Sequence, residues 1–381
     1  MPAPLIQLLV GGEAVEPRVL DRMRRLEVRE SDQDPSVVAI RLQLSQQPSG
    51  EFFPLDDDIF GSGVRLALEV ASPGGTAQRL FDGVVTHVRP HFEDIEANCY
   101  VEVVGMDDAV VLDAFERTAS YPDQSDADAV NEILGRYDIG ANVEDTPERH
   151  AADHQLLVQR ATDWQFIRYL ARRNGFVSYL EFDAAAGGVV GHFKRRGIAD
   201  DPQADLTILQ DDANLKWLDV EWTLSGPVRY VGAAVDPIRK RIAASAGEPS
   251  LDPLGEDGLA DAIEQGLQQS GADGAVRLLR HARNTDQGIQ AEGTGLTDQA
   301  RFVIEARGEV DPRLYRGLLR ARRPVLVKGA GARLSGLYYV RTVRTSIDDG
   351  EITQTFIAER NALGQSGQEE FGQSAEEVPA Q

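Results

Sequence analysis

The chain has 381 residues, with 62 acidic side chains against 39 Lys and Arg and a formal net charge of −23. That excess of carboxylates argues against a nucleic-acid backbone or an anionic membrane as partner, since both are held by clustered Lys and Arg. A single cysteine, Cys99, excludes an intramolecular disulfide framework, fits folding in a reducing cytoplasm and reads as a small buried hydrophobe.

In chain order, Met1 to Val10 is briefly apolar but has no basic leader and is broken by Gly11 and Gly12. No segment approaches membrane-spanning length, so neither a signal peptide nor membrane insertion is expected. Val38, Ile40, Leu42 and Leu44 alternate with polar or small neighbours, and Val64, Leu66, Leu68 and Val70 do so again after Gly61-Ser62-Gly63. Phe81-Asp82-Gly83 leads into a strand over Val84 to Val88 that Pro90 ends, and Cys99 to Val104 gives one more before Gly105. Short strands of this kind predict a small β-barrel or sandwich over residues 1–112.

Residues 113–210 read as an α/β layer. Ser125, followed by Asp126 and Asp128, caps a helix carrying Ala129, Val130, Ile133 and Leu134, with Gly135 and Gly140 at its end. Thr162 caps a second helix in a capping box with Gln165. Trp164, Ile167, Leu170 and Ala171 recur on one face as core, and Asn174-Gly175 supplies a left-handed stop before a strand from Phe176 to Phe182. Arg168, Arg172 and Arg173 on that helix read as an exposed face or an intersubunit ion pair.

Strand character returns over residues 211–363, first at Leu218 to Thr223 and Val228 to Val231 across Gly226-Pro227. An insertion over 237–308 then reads as three helical runs: Leu259, Ile263 and Leu267, then Val276, Leu279 and His281, then a run that Thr297 caps. Strands follow at Val325 to Lys328, Tyr338 to Val343 and Thr353 to Ala358, the last two joined by an Asp349-Gly350 hairpin. Tyr338 and Tyr339 point to opposite faces, so at most one is core. The tail, 364–381, has little to bury and is expected to be disordered.

Reactive motifs fail one by one. His150 and His154, four apart beside Glu148 and Asp153, lack the His-Glu-x-x-His pattern and further ligands, and read as solvated loop residues. Asp56, Asp57 and Asp58 lack a calcium loop's alternating ligands and central glycine. Lys328 precedes Gly329-Ala330-Gly331, the wrong side for a phosphate loop, and no Gly-x-Ser-x-Gly elbow is present. No catalytic, cofactor or metal residue is assigned, and no enzyme activity is expected.

The phrase from Thr162 to Phe166, continued by Arg168 to Phe176, resembles the central signature of the late control protein D and VgrG family, hub proteins of contractile phage tails and related injection machines. The resemblance spans about residues 20–363 and extends to Phe81 to Val104 and to the ending Glu359-Arg360-Asn361-Ala362. It implies an α+β, mainly β fold: two tube-like β-barrel domains, an intervening α/β layer and a helical insertion in the second barrel. A structural signature is carried by Phe81, Gly83, Thr162, Trp164, Phe166, Leu170, Gly175, Gly336, Arg360 and Asn361. An echo between Leu80 to Val85 and Arg333 to Tyr338, each placing glycine ahead of a strand, joins the two barrels.

By the same resemblance the chain is a baseplate hub subunit without catalysis. It forms a homotrimer whose six barrels make a pseudo-six-fold ring between the inner tube protein and a central spike, beside baseplate or wedge proteins. Because the sequence stops after the second barrel, the spike is expected to be a separate polypeptide. Assembly is expected in the cytoplasm, followed by incorporation into a virion or phage-tail-like particle. From the net charge of −23 a ring wall that is acidic or neutral is expected, with a charge excess that merely keeps the subunit soluble before assembly as the alternative. A tail-associated peptidoglycan hydrolase and a carbohydrate-binding β module stay open as alternatives.

Overall fold

The computed structural model describes residues 5–365 apart from 58, 62, 72–75, 153–155, 227–228, 237–239, 273–274, 280–284, 316 and 349. The predicted tail lies outside the described residues from 366 onward.

Alternation of apolar residues builds the first β part: β1 (Leu5–Val10), β2 (Met23–Ser31), β3 (Val37–Gln43), β4 (Arg65–Ala71), β5 (Gln78–His91) and β6 (Tyr100–Met106). In β3 and β6 every second residue is buried, which sends Val38, Ile40, Leu42, Val101 and Val103 into one core and their neighbours to an open face. Contrary to expectation, β5 runs through Pro90 to His91. Beyond Val84 it pairs with β6 alone, and an edge is where a strand tolerates proline.

The central part comprises β7 (Glu116–Tyr121), α1 (Asp126–Gly135), β8 (Gly140–Val143), β9 (Leu157–Thr162), α2 (Asp163–Asn174), β10 (Val177–Asp183) and β11 (Gly188–Lys194). Ser125 and Asp128 form the reciprocal capping box that starts α1.

The second β part follows as β12 (Gln203–Thr207), β13 (Leu215–Trp222), β14 (Arg229–Asp236), β15 (Arg241–Ala246), α3 (Leu259–Gln269), β16 (Val276–Leu278), α4 (Asp286–Ala300), β17 (Ile304–Val310), β18 (Arg323–Lys328), β19 (Gly336–Asp348) and β20 (Glu351–Arg360). The insertion therefore departs from three helices. Val276 lies in β16, paired with β14, and His281 is outside the described residues. Thr285 caps α4, whereas Thr297 sits inside it, its hydroxyl accepting from the Tyr230 N–H at 3.0 Å. Two glycines of α4 serve close packing: Gly293 meets the backbone of Gly247, and Gly295 that of Gly175.

Thirteen strands share one sheet, in the order β13-β17-β20-β19-β2-β3-β6-β5-β4-β1 with the two-residue strand Glu13–Ala14 beyond; β18 pairs with β19, and β12 with β18. The two closed barrels expected from the resemblance are not found among the described residues. The hydrogen-bonded path stays open and passes directly from one β part to the other, because β19 outruns β18 and exposes an edge that β2 covers from Thr342 opposite Ser31 to Asp348 opposite Arg25.

The two β parts are nonetheless copies. Their sheet orders are β4-β5-β6-β3-β2 and β18-β19-β20-β17-β13, and the strands follow one another along the chain in the same succession. Both carry a register shift at the start of the β2-like strand, between Met23 and Arg25 and between Leu215 and Trp217. A second shift recurs between Val85 and His87 and between Val340 and Thr342. This register equates Val85 with Val340, so Gly83 corresponds to Tyr338 and not to Gly336; the glycine echo read from the sequence is displaced by two residues.

Candidate functional site: a buried ionic junction

The ten signature residues fall in three places. In α2, Trp164, Phe166, Ile167 and Leu170 are buried against Tyr121, Leu134, Phe176 and Phe193. The Thr162 hydroxyl accepts from the Gln165 N–H at 3.2 Å and donates to Asp113, while the Gln165 side chain is exposed. Gly175 takes φ +71° and touches Gly295 so closely that a Cβ on either would collide. In the first β part Phe81 is core, and Gly83 lies against the Met106 carbonyl.

Gly336, Arg360 and Asn361 meet in the second β part. Gly336, at φ +140°, makes room for the Arg360 guanidinium, which donates to the carbonyls of Leu254 at 2.7 and 3.0 Å and of Ser335 at 3.0 Å. Asn361 accepts from the Leu254 N–H at 2.8 Å and donates to the Asp252 carbonyl at 3.0 Å. This pair ties the insertion to the end of β20.

Several readings of charge and exposure need correction. His150 is buried, not solvated, with Nε2 at 2.8 Å from Asp126; Arg173 joins the same carboxylate and is neither exposed nor intersubunit. His154 is outside the described residues, among which no group of three His, Cys, Asp or Glu is placed to hold a metal. Tyr338 and Tyr339 are both buried, because Ile198, Leu254 and Phe302 cover the second face of β19. Cys99 is buried as expected.

Sequence reasoning missed the densest group of charges, where the three parts of the chain meet. Arg320 Nε donates to both oxygens of Glu30 at 2.9 and 3.1 Å, and its Nη2 lies 3.4 Å from Glu181, which also accepts from Arg323 at 2.9 Å. Arg322 has φ +70° and donates to the carbonyls of Ser31 and Leu180 and to the Ser36 hydroxyl. Asp32 lies 3.4 Å from Arg196 and 3.5 Å from Arg341, and both arginines also bond Glu359.

Titration follows from this packing. Burial works to raise the Glu181 pKa, but Arg320, Arg323 and Arg322 outweigh it and hold the carboxyl below its usual range. Burial pushes Asp107 up to about 6 against the Ser36 N–H at 2.6 Å, the charge of Arg322 and the Ala109 N–H. Asp32 is likewise raised by burial, with Arg196 and Arg341 opposing.

Two open cavities flank the junction. One of about 210 Å³ is bounded by Asp32, Arg168, Arg172 and Arg196 and has no second carboxylate in its wall. The other, of about 460 Å³, is walled by Glu221, Glu305 and Glu359, of which Glu305 is paired with Arg307 and Glu359 with Arg196 and Arg341. The arrangement is suited to fixing three parts of the chain in one geometry. No helix among the described residues is long and apolar enough to cross a membrane.

With the fold and junction in view, comparison with known proteins gives a consistent architecture. The 43 kDa tail protein of prophage MuSo2 from Shewanella oneidensis matches over 95% of this chain and 100% of its own, with a TM-score of 0.64 at 14% identity. A tail protein from Neisseria meningitidis MC58 matches over 94% and 97%, with a TM-score of 0.63 at 12% identity. The Escherichia coli c3393 protein, a type VI secretion component described as similar to T4 tail proteins gp27 and gp5, matches over 94% and 77%, with a TM-score of 0.52 at 15% identity. The chain has the fold of these tail proteins. A sequence-family model described as the Alg8 N-terminal domain matches residues 6–186, just under half of the chain. That span ends between the paired strands β10 and β11, so it is not a structural unit and carries no functional reading here. No curated protein matches the chain.

Proposed function

We propose that the chain is a structural hub subunit of a contractile phage tail or a related injection particle, assembling as a trimer whose ring joins an inner tube to a central spike. The observation that carries this reading is the duplication: two β parts of one strand order and one bulge pattern sit edge to edge in a continuous sheet. A chain that presents one surface twice gives a three-fold assembly six near-equivalent docking positions, which is what an adaptor between six-fold and three-fold symmetry requires. The tail-protein fold supports the same reading.

In this reading residues 1–112 and 211–363 are the two tube-like domains, 113–210 the layer that braces them, and 237–308 an insertion in the second. The inner tube protein, a spike protein and baseplate or wedge proteins are the partners, met during assembly in the cytoplasm before the chain becomes part of a particle. The role is non-catalytic, since the charges brought together at the junction are spent on ion pairs. Light scattering of the purified chain, alone and with a spike protein added, tests the proposal. A trimer is expected, and a chain that stays monomeric in both samples would overturn it.

A further inference from the structure

The duplication leaves one strand pair without its counterpart. In the second β part, the first half of β19 pairs with β18 and its second half with β2. In the first β part, the first half of β5 pairs with β4, but among the described residues nothing pairs with the outer edge of its second half; the outer edge of β13, the counterpart of β2, is equally unpaired. The terminal strand β13 and the free second half of β5 thus expose strand edges whose equivalents inside the chain are joined to each other.

The matched bulges fix a register. Thr342 corresponds to His87 and Arg25 to Trp217, so the internal pairs Val343–Glu30, Arg344–Arg29 and Ile347–Leu26 translate into Val88 opposite Trp222, Arg89 opposite Glu221 and Phe92 opposite Leu218. The translated residues suit this pairing on both faces. On the core side, Val343 and Ile347 are 0% and 3% exposed, whereas their counterparts Val88 and Phe92 are 38% and 52% exposed and Trp222 is 40% exposed. Apolar surface on an unpaired edge is what a pairing strand covers.

On the open side, Arg344 bridges the internal junction by donating to Glu27 at 2.6 Å. Arg89 is the counterpart of Arg344, and Asp219 of Glu27, so the bridge is conserved in kind between the two free edges. Glu221 also stands directly opposite Glu305 within the chain, a like-charge pair that an arginine on its empty side offsets.

We propose that the outer edge of β5 from His87 to His91, continued by Phe92 just beyond it, pairs antiparallel with β13 of a second copy in this register, repeating between chains the junction made within the chain by β19 and β2. Pro90 withholds one N–H, so the ladder carries one bond fewer than its internal template. The contact is head-to-tail, and such contacts close into rings when the rotation per step allows. Only the number of copies rests on the hub reading.

Paired cysteines test the register. Residues directly opposite in an antiparallel pair lie close enough for a disulfide, whereas a slip of two residues does not. The full chain carrying Arg89→Cys and Glu221→Cys, mildly oxidised at a series of concentrations up to hundreds of micromolar, should lose its monomer band to covalent oligomers on non-reducing gels. Arg89→Cys with Asp219→Cys, two residues out of register on the same face, should remain mostly monomeric. Both sites are exposed, so folding is not at stake. In the otherwise native chain, Arg89→Glu should weaken assembly, and adding Asp219→Arg with Glu221→Arg should restore it. A native trimer that cross-links no better at 89/221 than at 89/219 overturns the pairing and leaves the hub reading standing. A chain that is monomeric throughout the series overturns the pairing itself.

Discussion

Arg320→Met is the most direct probe of the junction. The guanidinium is buried and donates to both Glu30 oxygens and, at 3.2 Å, to the Arg79 carbonyl, with Glu181 at 3.4 Å. Methionine fills the stem of the cavity but supplies no donor. Glu181 keeps Arg323 at 2.9 Å, so its loss is partial. Glu30 has no other ion-pair partner among the described residues and would be left as a buried lone carboxylate. Breaking one partner of a buried pair costs about 3–5 kcal/mol, most of it the penalty on the charge left behind.

The assay is urea unfolding followed by tryptophan fluorescence and far-UV circular dichroism. Because the arginine contacts the first β part and the central layer from the second β part, both probes should shift to lower urea together. Glu30→Gln with Arg320→Met should recover most of the loss, since neither residue is then charged. The reasoning fails if Arg320→Met costs under about 1 kcal/mol, the range of an exposed pair. It also fails if the double substitution is as destabilising as the single one.

Two further outcomes follow from the central layer. Trp164→Ala should cost about 3–5 kcal/mol and reduce soluble protein, as truncation of a buried aromatic does; unchanged melting would remove Trp164 from the core. His192, stacked on Tyr179 at 4.4 Å, has its pKa depressed by burial from 6.5 to about 4, so the folded state loses stability as pH falls from 6.5 through 4. His192→Phe keeps the stack and removes the loss, and its stability relative to the parent should rise by about 3 kcal/mol between pH 7 and pH 4. Asp107 contributes in the opposite direction, because its raised pKa makes acidification stabilising, but it is common to both proteins and cancels in the comparison. Parallel pH profiles would refute the assignment.

How legible each feature is in the sequence depends on how local its cause is. The cap at Thr162, the apolar stripe of α2 and the αL stop at Gly175 lie within fourteen residues, and all three are present. The β strands are legible wherever one face is buried and the other open. Tyr339 breaks that rule because a second cluster covers its other face. The start of α4 at Thr285 is not legible because the purpose of its glycines, contact with the Gly175 and Gly247 backbones, lies far along the chain. Pro90 reads as a stop because nothing local says that β5 is an edge there. The ionic junction is least legible, since Glu30 and Arg320 are 290 residues apart. Its one local sign is the run Arg320-Ala321-Arg322-Arg323 directly ahead of an apolar strand, an expensive place for three guanidinium groups unless carboxylates wait for them.

The net charge of −23 invites the idea of an acidic channel wall that repels a polyanion, and on the open face of the sheet the cations are largely paired. Arg344 bonds Glu27, Lys216 bonds Glu309, Arg307 pairs with Glu305 and Arg41 approaches Glu102 at 3.9 Å. Most cations on this face thus stand beside a carboxylate, and the field of such pairs falls off faster than that of single charges. In physiological salt, where screening acts over about 8 Å, such pairs contribute little at a distance. In the proposed ring, a wall made by this face would hold these paired cations together with Asp219 and Glu221, which are exposed and have no ion-pair partner among the described residues, so it would offer no basic track to a polyanion. A charge map of the assembled ring tests this: an inner wall dominated by Lys and Arg would overturn the acidic or neutral wall and leave the hub reading standing, the excess charge then serving to keep a large subunit soluble before assembly.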